Sequence, residues 1–132
     1  MLQKYLSQLI EEIQLPPLEP QNANGFFSLS FKDDLTLFLR DLSPGFIITA
    51  NIATLPEKER EDLFIYLMKA NFMGQGTADQ IFGVDPNEKF LTLSRTISYE
   101  VNYADFKEIL ETFVNYLAYW KNEIQNKQRT KQ

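Results

Sequence analysis

In the last third of the chain, Tyr103, Phe106, Leu110, Phe113, Leu117, Trp120 and Ile124 follow one another at alternating steps of three and four. That spacing places them on one face of a helix, and Ile109 widens the face beyond a narrow coiled-coil seam. Asn102 and Asp105 form a capping-box pair at its start. A helix over residues 103–124 would be about 33 Å long at 1.5 Å per residue. So much aromatic surface on one side predicts packing against a sheet.

The first helix has its own apolar side in Leu2, Leu6, Leu9, Ile10 and Ile13, and Pro16, Pro17 and Pro20 stop it. Phe27, Leu29 and Phe31 then alternate with Ser28, Ser30 and Lys32. After a turn at Asp33 and Asp34, Leu35, Leu37 and Leu39 alternate with Thr36, Phe38 and Arg40, which predicts a hairpin. Ser43, Pro44 and Gly45 turn the chain into a third strand over residues 46–53. Thr54 and Glu57 predict a cap for a middle helix through Leu63, Phe64, Leu67, Met68 and Phe72, terminated by Gly74 and Gly76. A second hairpin follows over residues 78–84 and 90–97, turning at Asp85, Pro86, Asn87 and Glu88.

The expected architecture is therefore α+β, an antiparallel sheet with helices on one face in the order α-β-β-β-α-β-β-α. One domain should span residues 1–126, leaving 127–132 as a flexible basic tail. Phe27, Leu29, Phe31, Leu35, Leu37, Leu39, Phe46, Ile48 and Ile52 are the expected inward set. The strand period of two then sends Phe26, Phe38 and Ile47 to the opposite face, where three large apolar residues suggest either a protein-binding patch or a face covered locally through sheet curvature.

Composition narrows the chemistry. The 132 residues are 44% hydrophobic with 11 Phe, 6 Tyr and one Trp, enough for a core and an interface together. Residues 1–111 hold nine basic against seventeen acidic side chains, which disfavours nucleic-acid phosphate as a partner. Without cysteine or histidine there is no thiol nucleophile, no thiolate or imidazole metal ligand, and no imidazole base for Ser28, Ser30 or Ser43. Asp85 and Asn87 imitate the start of a calcium loop, but Lys89 and Phe90 spoil its fifth and sixth positions. Gly74 and Gly76 lack the Lys-Ser/Thr pair of a phosphate loop. The carboxylates at Asp33 and Asp34, at Glu57, Glu59, Glu61 and Asp62, and at Glu108 and Glu111 read as solvated charge, since acid and base work needs opposed groups in a cleft. The first helix carries Glu11 and Glu12 and does not read as a signal peptide, and residues 46–53 are too short to span a membrane. No enzyme and no cofactor is expected; function must lie in surfaces.

In sequence order, IQLPPL, FIITANIA entering TLPEKE, LMKAN at 67–71, GVDPNEKFLTL at 83–93 and the helix with Phe106, Leu110, Phe113 and Trp120 resemble a class I type III secretion chaperone of the Tir chaperone family. The resemblance covers about residues 1–124, and the connector FMGQGTADQI departs from it. It implies a small acidic protein of the bacterial cytoplasm, a homodimer or a heterodimer with a related chaperone, that holds the N-terminal segment of a secreted effector or regulator in a non-globular state. It also places the dimer contact on Leu67, Met68, Phe72, Ile81 and Phe82. Cargo is expected at Leu2, Leu6, Phe26, Phe38 and Ile47, with strand addition near Phe26 to Phe31. The alternative from a different class is a small non-enzymatic regulatory adaptor that binds a folded protein.

Overall fold

The computed structural model describes residues 2–31, 35–73 and 80–130, those at 71–73 and 128–130 as backbone only. Its elements are α1 (Leu2–Ile13), β1 (Phe27–Ser30), β2 (Thr36–Asp41), β3 (Phe46–Thr54), α2 (Arg60–Met73), β4 (Ile81–Val84), β5 (Phe90–Ile97) and α3 (Tyr103–Thr130). This is the predicted order. The five strands form one antiparallel sheet, β1-β2-β3-β5-β4, so β3 is central and β1 and β4 are the edges. The expected turn at Asp33 and Asp34, the stop at Gly74 and Gly76, and Ala78 lie outside the described residues.

Register explains the two faces. Phe27 pairs with Leu39, Leu39 with Ile48, and Phe46 with Ile97, and these side chains are buried. From the predicted inward set, Phe31 and Leu35 are half-buried and the rest are buried. The α3 stripe lies over this face: Phe106, Leu110, Phe113, Leu117, Trp120 and Ile124 are buried, and Phe106 meets Phe46 edge-on at 5.3 Å between ring centres. The asparagine arm of the predicted cap forms, with the Asp105 amide donating to Asn102 Oδ1 at 2.8 Å.

The entry into α2 differs from expectation. The predicted cap at Thr54 and Glu57 is absent because β3 runs through Thr54 and the Leu55 amide donates to the Lys89 carbonyl at 2.9 Å, extending the pairing with β5. Helix α2 therefore waits until Arg60, after Glu59 in a left-handed conformation (φ 61°). At the other end of the chain, α3 is described as far as Thr130. No Gly or Pro interrupts it, and Lys127 folds back over the Tyr66 ring with its ammonium 3.5 Å from the centroid.

Helix α1 ends in a Schellman motif, with Gln14 left-handed (φ 57°) and the Leu15 amide donating to the Ile10 carbonyl at 3.1 Å. Between β2 and β3, Gly45 has φ +89°, and an added Cβ there would sit 1.8 Å from the Ile97 carbonyl oxygen. Gly45→Ala is therefore expected to lower unfolding free energy by about 2 kcal/mol or more, read from the urea midpoint. An unchanged midpoint would show that the turn repositions freely.

Candidate functional site

Among the described residues, two apolar surfaces stand open. The first is a groove of about 260 Å³ between Leu9 and Ile13 of α1, Phe31 beyond β1, and Leu110 and Val114 of α3, with Lys107, Glu111 and Asn115 at its polar margin. Ile13, at the last turn of α1, is 44% exposed. Beside the groove, a polar clasp joins α1 to α3. Tyr103 Oη donates to Glu12 Oε2 at 2.6 Å, and Lys107 Nζ donates to Glu12 Oε1 at 2.5 Å. Tyr5 Oη donates to the Val101 carbonyl at 2.9 Å, and the Tyr5 ring lies 5.3 Å from Phe106. The bonds from Lys107 and then Tyr103 hold the Glu12 carboxyl below its usual range. Desolvation, with Glu12 adding to it, pushes the Tyr103 hydroxyl up to about 12.

The second surface belongs to α2 and β4, which pack on each other. In the run LFIYLM, Leu63 and Leu67 turn inward, whereas Ile65 and Met68 are 53% and 66% exposed. On β4, Ile81 is 62% exposed and Val84 is also exposed, while Phe82 is buried edge-on against Trp120 at 4.8 Å. Tyr66 meets the same indole at 6.1 Å and fastens α2 to α3.

The residues singled out from sequence fall into several environments. Leu2 and Leu6 are fully buried, because the apolar stripe of α1 is consumed by docking; neither offers surface while the helix is in place. Phe26, Phe38 and Ile47 lie on the sheet face away from the core and are half-buried. Phe26 is covered by Arg40, whose guanidinium carbon lies 5.0 Å from the ring centre. Phe38 sits in a cross-strand row with Ser28, Thr49, Ser94 and Ile81, and the Thr49 and Ser94 hydroxyls are hydrogen-bonded at 2.8 Å. Met68 and Ile81 are exposed, Leu67 and Phe82 belong to the chain's own core, and the Phe72 side chain lies outside the described residues.

Sequence reasoning missed Ile13, Leu110 and Val114 as groove walls, and Ile65 and Val84 as exposed apolar residues. Ile65 carried a signal: six apolar residues in a row on a helix cannot share one face. Val114 stands off the three-and-four stripe of α3, which is the place for a groove wall.

Among the described residues, no opposed pair of acids emerges. Glu111 borders the groove, whereas Glu108 opens into a different cleft of about 250 Å³ with Arg95 and Asp105. Glu57, Glu59, Glu61 and Asp62 are all exposed, and among the described residues no cluster of three or more metal-ligating side chains occurs. Asp85 serves the β4–β5 turn: its carboxylate accepts the Lys89 and Phe90 amides at 2.7 Å each, and the Phe90 bond in particular holds it below its usual range. Among the described residues, no helix is long and apolar enough to cross a membrane.

Among the described residues, open apolar surfaces occur without a cluster of metal-ligating side chains, which directs attention to binding. Solved structures of low identity share the fold. The ExsC-ExsE complex contains a chain 20% identical at TM-score 0.71, with 92% of this chain and 91% of that chain covered. The corresponding values for YbjN from E. coli, a candidate transcription regulator, are 14%, 0.73, 96% and 93%. For the HopA1-SchA chaperone-effector complex they are 13%, 0.66, 91% and 92%. No curated protein matches by sequence. The sequence profile of the Tir chaperone protein (CesT) family matches residues 4–121, and the chain belongs to that family of non-catalytic chaperones.

The clasp predicts an acid response with a definite sign. Because Glu12 is held below 4.5, its contribution is complete above the unfolded value and fades as pH falls through the folded one. Glu12→Gln should remove that part of the acid slope, read as amide exchange at the α1 C-terminus between pH 5 and 3. Identical slopes in both proteins would assign the acid response to other carboxylates.

Proposed function

We propose that this chain is a secretion chaperone of the bacterial cytoplasm that holds an unfolded segment of a secreted effector or regulator before export. The observation that carries the reading is the unfilled apolar groove beside an edge strand in a chain of the Tir chaperone family. Phe31 directly follows β1 and forms one groove wall, so a segment added along β1 meets the groove at that end. Two similar structures, ExsC-ExsE and HopA1-SchA, are complexes, the second of a chaperone with an effector.

Hydrogen exchange on the chaperone with its co-purified partner tests this. A continuous, otherwise disordered partner segment should become protected, together with β1 and the α1–α3 groove. Protection of separated patches on a folded partner would instead establish the regulatory adaptor. Replacing Phe38 or Ile47 by Asp tests the outer sheet face as a further cargo contact. A loss of more than about 1 kcal/mol of partner affinity is expected if the residue becomes buried, with mass and helical spectrum preserved.

Self-association belongs to the same reading. Ile65 and Met68 of α2 and Ile81 of β4 are exposed on two touching elements at one edge of the sheet, and apolar side chains there favour a partner that covers them. Light scattering at micromolar concentration should give about twice 15.4 kDa for a homodimer. Met68→Glu should shift the population to 15.4 kDa, by more than about 1 kcal/mol per interface. A wild-type monomer that pairs cleanly with a related chaperone would identify the heterodimer, and a monomer under both conditions would reject this contact.

A further inference from the structure

The groove margin is electrically unbalanced. Lys107 is its cation, and the ammonium is drawn across to Glu12 of α1 at 2.5 Å, although Glu111 stands four residues along the same helix. Asn115 is neutral. Among the described residues, no cation lies within ion-pair distance of Glu111. Among the described residues, the groove thus pairs apolar walls with one carboxylate that has no cation partner, on a body in which seventeen acidic residues face nine basic ones over residues 1–111.

Resting on the chaperone reading above, we propose that the groove selects an extended segment carrying an aliphatic anchor with a Lys or Arg within two residues of it. The anchor occupies the space between Ile13, Phe31 and Val114, and the basic side chain pairs with Glu111. In an extended chain, side chains alternate faces at about 3.3 Å per residue, so a basic side chain two positions from the anchor, about 6.6 Å along, shares its face and reaches the groove margin. An acidic residue there would face Glu111 and the surrounding negative field and be rejected, so the carboxylate acts as a selectivity device as well as a contact. Because Glu111 is exposed and outside the core, changing it leaves the packing of α3 intact.

The test uses the full-length protein and phage-displayed random 12-residue peptides. Recovered peptides should lose binding to Ile13→Gln and should be enriched in Lys or Arg within two positions of Leu, Ile or Val. Panning on Glu111→Lys should turn that preference to Asp or Glu, while Glu61→Lys, the same charge change on α2, should leave it basic. For one selected peptide measured by fluorescence anisotropy, replacing its basic residue with norleucine should weaken binding about three- to tenfold to wild type and negligibly to Glu111→Gln. Groove-dependent peptides with no basic preference, or with one that Glu111→Lys leaves unchanged, overturn the charge selection and leave the groove as a peptide site. Failure to recover peptides, or binding indifferent to Ile13→Gln, overturns the groove itself and this inference with it.

Discussion

Phe106 of α3 meets Phe46 of β3 at the centre of the molecule, and the elements around them are placed by that contact. Because β3 is the middle strand, each register on either side of it sets which residues share its buried face. The α3 stripe then lies along that face from Phe106 to Ile124, and Tyr5 brings α1 against Phe106 from the side. A strand slipped by one residue would turn its apolar set outward and leave part of the stripe uncovered. Register and helix docking therefore enforce each other.

Patterns with one clear period were legible in the sequence. The α3 stripe, the alternation of Phe27, Leu29, Leu37 and Leu39, and the Asn102 cap each depend on neighbours a few residues away, so local spacing contains the answer. The start of α2 was not legible, because a distant backbone carbonyl at Lys89 competes with the local cap for the chain near Leu55. For the binding surfaces, periodicity identified which face a side chain takes but not what covers that face. Leu2 and Leu6 lie on the right side of α1 and are covered completely, while Ile13 on the same stripe extends past its cover.

Helix α2 is constrained differently. Leu63 and Leu67 bury one side in the chain's own core, yet Ile65 and Met68 face outward beside an edge strand that also shows Ile81 and Val84. Exposed apolar side chains grouped on one edge promote association, and an edge strand adds unpaired backbone groups to that tendency. Such a surface is stabilised when a partner covers it. This is why pairing is an integral part of the proposed chaperone.

The two surfaces lie at different stations along α3. Lys107, Leu110 and Val114 serve the groove, whereas Trp120 backs Phe82 and Tyr66 behind the α2–β4 face. Lys107 and Trp120 are thirteen positions apart, about 20 Å along a helix that rises 1.5 Å per residue. Occupation of one surface thus leaves the other free, and a paired molecule would carry two grooves. A segment long enough to reach both would gain from effective concentration, so modest affinity at each groove suffices to hold it. Weak individual contacts also release a segment in steps.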